Sequence, residues 1–257
     1  MNKVSLSIAK FTVIEVMHNR LFWLVFGAAL VGMGIGVFGH SLAITESDQT
    51  QTIFMSASLR FFAVLIVTLV VINTVSRDLN DKNLEMILSL AITRSSYFFG
   101  KLFGFSVITS GIVVFFGLCL LFTTSASNVF LWMLSLYCEL FLVLSFSLLC
   151  ATTIRQVPIS VIVVFGFYLL SRSISAAVLM VDSSSLIAIN SVSTSIMSTV
   201  LYGIALMMPD LSYFTQGSWL IYGDVDWLVL SEVILQTIVY SILLSSASLM
   251  DFYRKSL

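Results

Sequence analysis

Few residues in this chain have the type and spacing to do chemistry, and the most conspicuous of them, Glu139 and Arg172, lie inside long apolar runs. An ionisable group near the centre of a membrane helix costs at least about 2.5 kcal/mol unless it is paired or wet, so each needs a partner. Glu139 lies 12 residues inward from Ala151 and Arg172 14 residues inward from Pro158, roughly 18 and 21 Å at the α-helical rise. The depths match, and the short link between the two runs makes them antiparallel neighbours. The expectation is a Glu139–Arg172 ion pair, serving either as a lock between helices or as a polar contact in a substrate path.

The remaining reactive types are poorly arranged for catalysis. His18 and His40 sit near opposite ends of one apolar run, too far apart to share a metal, and read as interfacial residues. Cys119, Cys138 and Cys150 fall in apolar stretches without a CxxC pair, which points to packing rather than zinc or a disulfide. No nucleophile–base set emerges within the apolar runs, which weighs against a membrane-embedded enzyme. A phosphate-binding loop is missing as well: Gly100-Lys101 has Ser95 where the GxxxxGK[ST] pattern requires a glycine. The chain is therefore expected to hold neither metal nor nucleotide itself.

The elements that must position these residues follow from composition. Of 257 residues, 59% are hydrophobic and 10% charged, where a soluble domain carries roughly 25% charged. The formal charge of −1 offers no basic excess for nucleic acid. Apolar runs near the length of a membrane-crossing helix, about 20 residues, fall at 21–38, 59–75, 103–122, 130–151, 157–180 and 227–249. Lys3, Lys10 and Arg20 precede the first run with no cleavage site after it, so it reads as a retained span.

A seventh apolar stretch, about 186–208, is compromised by nine Ser and Thr residues between Ser183 and Thr199. Charge placement arbitrates. With six spans and both termini cytoplasmic, Lys3, Lys10, Arg20, Arg77, Lys82, Arg94, Lys101, Arg155, Arg254 and Lys255 all lie inside, as the positive-inside rule prefers, leaving only Arg60 and Arg172 outside that pattern. A seventh span would strand Arg254 and Lys255, so 182–208 is expected as an outer-face or re-entrant helical segment buried against protein. The fold class is thus an all-α polytopic membrane protein, a single transmembrane domain over 1–257. Asn2 to Arg20, with charged and apolar residues unsegregated, is expected along the cytoplasmic surface. Gly32/Gly36 and Gly100/Gly104 form GxxxG pairs that allow close helix approach and are compatible with a dimer seam.

Between the second and third spans, Leu84, Ile87, Leu88 and Ala91 follow i, i+3, i+4, i+7 spacing, with Asp81, Lys82, Glu85 and Ser89 on other faces. This predicts a short amphipathic helix, with Asp78, Asn80 or Asp81 capping its start and Arg94 in its last turn. It is either an interfacial connector or a docking element for a soluble partner.

The run from Arg77 to Arg94, followed by Tyr97 and Gly100-Lys101, resembles the connection between the second and third spans of ABC type-2 permeases, the membrane subunits of many ATP-binding-cassette exporters. Leu84-Glu85, Leu88-Ser89, Arg94, Tyr97 and Gly100-Lys101 match elements of that connection, while Lys82-Asn83 and Ala91 stand where family members often carry Gly-Thr and Pro. The stretch Met208-Pro209-Asp210-Leu211-Ser212-Tyr213-Phe214, with Trp219 and Tyr222-Gly223, looks like an outer segment found before the last span in some bacterial members.

The resemblance implies an exporter subunit of the bacterial inner membrane, itself no enzyme, moving cargo outward by alternating access. ATP and magnesium would belong to a separate cytoplasmic ATPase, present in two copies, and the permease would pair with a second copy or a related chain. Asp81, Lys82, Leu84, Glu85, Leu88, Ser89 and Arg94 would form the ATPase-coupling helix, Glu85 facing the ATPase and Arg94 and Lys101 anchoring the connection at lipid headgroups. The main alternative is an ATP-independent secondary carrier, although no internal repeat relates the two halves. A plain membrane anchor would leave the cytoplasmic motif unexplained.

Overall fold

The computed structural model describes residues 3–18, 21–42, 47–80, 93–154, 156–187, 192–223 and 227–254. Their regular structure consists of helices: α1 (Lys3–His18), α2 (Leu21–Leu42), α3 (Ser47–Asn80), α4 (Arg94–Leu120), α5 (Ala126–Thr153), α6 (Val157–Ile187), α7 (Val192–Met207), a 3₁₀ turn (Leu211–Tyr213), α8 (Gly217–Tyr222) and α9 (Trp227–Arg254). Six of them, α2 to α6 and α9, are long and apolar enough to cross a membrane. The chain is an all-α, multi-pass membrane protein.

The helices outrun the apolar runs that announce them. The second run covers 59–75, yet α3 has 34 residues. No Gly or Pro interrupts Ser47–Asn80, so nothing in the backbone stops the helix where its composition turns polar. Pro158 stands at the second residue of α6, where a missing N–H is harmless. Beyond the fifth apolar run α6 continues to Ile187, and α7 then packs mainly against it.

α3 and α5 form the centre of the bundle. Leu59, Ile66, Ile72, Leu136, Leu140 and Leu142 are almost wholly enclosed, with Phe105 and Phe116 of α4 against them. Contacts at one end gather the two terminal helices. Tyr97 of α4 stacks on Phe252 of α9 at 6.0 Å between ring centroids, and Lys101 of α4 pairs with Glu15 of α1. Thr152 of α5 meets Ser248 of α9 at the same end. At the opposite end the carbonyl of Leu220, in α8, accepts hydrogen bonds from Thr124 Oγ1 at 2.7 Å and Asn128 Nδ2 at 3.2 Å.

α1 packs one face against α4 and leaves the other exposed. Ser5, Ala9, Thr12 and Val16 form a buried stripe, while Leu6, Phe11, Ile14 and Met17 point outward. The packed face is the one with small residues, not the more apolar one, which is why segregation by hydrophobicity fails to reveal it. Its partner is the glycine pair of α4. A Cβ added at Gly100 would come within 2.9 Å of Ile8 Cβ, and one at Gly104 within 2.9 Å of Thr12 Cβ and 3.0 Å of the Ala9 carbonyl. The Gly32/Gly36 pair is likewise closed, by Leu59 and Met55 of α3. Both glycine pairs are taken up by packing within the chain.

Overpacking of this kind costs about 1–3 kcal/mol. Gly104→Ala is therefore expected to lower the melting temperature of the detergent-purified protein by several degrees. Gly111→Ala, on the same helix with nothing within 4 Å of the new methyl, is expected to leave it unchanged or raise it, because alanine is the better helix former.

Candidate functional site

The ion pair expected from matching depths is present: Arg172 Nη1 lies 3.4 Å from Glu139 Oε1. Glu139 is fully buried on α5. It stands 14 residues from Thr153, the last residue of its helix, or about 21 Å along the axis. It is 13 residues from Ala126 at the other end, so it sits near the middle of the helix. Tyr168 and Arg172, one turn apart on α6, face it together, and the Tyr168 hydroxyl donates to Glu139 Oε1 at 2.9 Å.

The pair is one part of a larger cluster. The chain between α7 and α8 folds back into the bundle, burying Leu211 and Phe214, and its backbone becomes the main partner of the arginine. Arg172 Nη1 donates to the carbonyls of Leu211 at 2.7 Å and Phe214 at 3.0 Å, both closer than Glu139. Arg60 enters from α3, donating through Nη1 to the Thr215 carbonyl at 3.1 Å and to its hydroxyl oxygen at 3.3 Å.

Thr215 joins all three helices. Its amide donates to Ser135 Oγ at 2.9 Å and its hydroxyl to Glu139 Oε2 at 2.5 Å, both on α5. The same residue has φ of 45°, the left-handed region that a β-branched side chain rarely enters. Such strain costs on the order of 1–3 kcal/mol and persists only where surrounding contacts over-determine it. Asp210 shapes the entry to the segment: Oδ1 accepts from the amide and hydroxyl of Ser212 at 3.0 and 2.7 Å, and Oδ2 from the hydroxyl of Ser175 on α6.

A second polar cluster occupies the other end of the bundle. Lys101 is buried, with Nζ 2.8 Å from Asp78 Oδ2 and 3.3 Å from Glu15 Oε2. Arg77 also pairs with Glu15, and the Tyr97 hydroxyl donates to Asp78 at 2.8 Å. Two expectations change here. Lys101 faces protein carboxylates and not lipid headgroups, because Glu15 and Asp78 meet it on the enclosed side of α4. Asp78 is not a cap for a following helix, since it lies inside α3 with its carboxylate turned to Tyr97 and Lys101.

Asp81, Lys82, Leu84, Glu85, Leu88 and Ser89 lie outside the described residues. Arg94 is the first residue of α4. Glu232 is exposed, and His40 lies 3.5 Å from Asp48 in an exposed contact. Among the described residues no group of three or more His, Cys, Asp and Glu side chains is placed to hold a metal. Compared with known proteins, the chain matches no protein-family model and no curated sequence.

Arg60 had a signal in the sequence: with Arg172 it was one of two cations outside the positive-inside pattern, and these two converge on one threonine. Thr215, Ser135 and Tyr168 carried none, being ordinary residues in apolar or polar-aromatic stretches.

Breaking a buried pair by removing one partner costs about 3–5 kcal/mol, so Glu139→Arg and Arg172→Glu are each expected to lower the melting temperature strongly. The double exchange is expected not to recover it, because a carboxylate at position 172 would face the Leu211 and Phe214 carbonyls. Thermal unfolding in detergent checks this, and full recovery in the double variant would show that the two charges matter only to each other.

Proposed function

We propose that the chain is the transmembrane permease subunit of an ATP-binding-cassette exporter in the bacterial inner membrane, moving its substrate with ATP hydrolysed by a separate ATPase subunit. Support comes from the motif between α3 and α4 taken together with its flanks. The residues bounding it, Asp78 before and Tyr97 and Lys101 after, join α1, α3, α4 and α9 in one knot. A helix over 81–92 pressed by an ATPase would push directly on that knot. Motion delivered there would reach four helices at once, since Lys101 of α4 is held by carboxylates of α1 and α3, and Tyr97 of α4 stacks on Phe252 of α9.

The permease would work as one of two, with a second copy or a related chain, and with two ATPase subunits binding ATP and magnesium. Asp81, Lys82, Leu84, Glu85, Leu88 and Ser89 would form the docking face, with Glu85 toward the ATPase. N- and C-termini would be cytoplasmic, which accords with the many Lys and Arg residues assigned to that side. An ATP-independent secondary carrier is the second reading, favoured by Glu139, since an enclosed carboxylate within a span is a common element of ion-coupled carriers.

Purification of the tagged protein from its own cell in mild detergent, followed by mass spectrometry, separates the two. The permease reading expects co-purification of an ATPase bearing a phosphate-binding loop, with Glu85→Lys lowering its recovery at least about tenfold, the loss of roughly 1.4 kcal/mol. A chain recovered alone even after cross-linking would reject the exporter and favour the carrier.

A further inference from the structure

A groove of about 330 Å³ runs between α1, α2 and α4. Val25, Ile108 and Ile112 form its buried floor, while Met17, Phe26 and Val107 stand exposed at its rim. On α4 it extends from Val107 to Phe115, about 12 Å at the α-helical rise. Gly111 lies midway, and a Cβ added there would meet nothing within 4 Å. Every other residue on the lining is Val, Ile, Met or Phe, so the missing side chain at Gly111 is what opens the space.

Its depth follows from the packing of α1. Ile8 meets Gly100 and Thr12 meets Gly104, so α1 and α4 run parallel. Val13 and Met17 then lie alongside residues beyond Gly104, within the apolar run of α4 that starts at Phe103. The groove is at hydrocarbon depth, and its exposed rim opens toward lipid. Left empty, its walls would forfeit dispersion contacts, and the bilayer supplies hydrocarbon to restore them.

Size and charge narrow the occupant. A helix with its side chains is about 10–12 Å across and fills roughly 900 Å³ or more over that length, so a helix of a second copy does not enter 330 Å³. A single acyl chain, one carbon wide, does. Lys10, Val13 and Met17 follow i, i+3, i+7 spacing, which puts Lys10 on the groove side of α1. Lys10 is exposed and lies between the levels of Gly100 and Gly104, where the apolar run of α4 begins and headgroups are found. Glu15, the acid on α1, is taken by Lys101 and Arg77, and Lys10 makes no ion pair among the described residues.

We propose that the groove between α1, α2 and α4 seats one acyl chain of a phospholipid whose phosphate lies against Lys10. The site needs neither an ATPase nor a cargo, so it stands or falls apart from the exporter reading. Gly111 is the residue to vary, because a side chain there enters the groove without displacing protein.

The full chain is placed in phosphatidylcholine nanodiscs with a trace of phosphatidylglycerol carrying a photoactivatable diazirine midway along one acyl chain. After irradiation, peptide mass spectrometry compares labelling of the groove with labelling of the exposed face of α9 at Leu235, Val239 and Ile242. Groove labelling is expected to exceed that of α9 at least about tenfold, the preference of a seated acyl chain over one merely in contact. Gly111→Leu is expected to bring the ratio near one while the melting temperature holds. Lys10→Gln is expected to lower the ratio about fivefold, the effect of losing one Lys at an anionic headgroup. Even labelling of groove and α9 overturns the site. So does a ratio undiminished in folded Gly111→Leu or, if that variant does not fold, in Gly111→Val. A ratio unchanged in Lys10→Gln overturns the phosphate contact.

Discussion

Irregular backbone inside a helix bundle must find hydrogen-bond partners that water would otherwise supply, and two arginines meet that need here. The carbonyls of Leu211, Phe214 and Thr215 receive the guanidinium protons of Arg172 and Arg60, and Ser135 receives the Thr215 amide. Each side solves the other's problem. Unpartnered carbonyls and unsolvated cations are both expensive in a low dielectric, and the contact removes much of both penalties. Glu139 completes the arrangement by accepting from Arg172, Tyr168 and Thr215 at once. Because the partners come from α3, α5 and α6, these helices are held at a common level by the segment that folds between them.

The other end of the bundle follows a related logic with side chains alone. Lys101 lies between Asp78 and Glu15, and Arg77 adds a second cation to Glu15. Neither carboxylate could be enclosed singly at tolerable cost, and sharing one ammonium between them draws α1 and α3 onto α4. Gly100 and Gly104 make the approach possible by removing side chains from the contact. Between the two polar ends lies a core of Leu59, Ile66, Leu136, Leu140 and Phe116, close-packed and without slack.

Much of this was readable from residue order. Runs of apolar residues locate the six spans, and equal depth joins Glu139 to Arg172. Arg60 was marked as anomalous by its sign, yet nothing in its neighbourhood gave it a partner. Asp78 read as a helix cap because capping is a local rule, whereas its partners Tyr97 and Lys101 lie across a connection in another helix. The packed face of α1 was hidden because it is made of Ser5, Ala9, Thr12 and Val16, small residues that hydrophobic patterning ranks below Phe11 and Ile14 on the opposite side. Met208 to Thr215 showed turn and aromatic character but no sign that its carbonyls would turn inward.

What residue order determined, then, was how many helices cross the membrane, roughly where they lie, and which charges would be costly there. Those are sums over single residues, since transfer into lipid is priced side chain by side chain. The tertiary structure decided which polar groups meet: Arg60 and Arg172 at one threonine, Lys101 between two acids, glycines against a small-residue face. A hydrogen bond depends on distances between helices far apart in the chain, set by how their surfaces pack, and no local pattern carries that information.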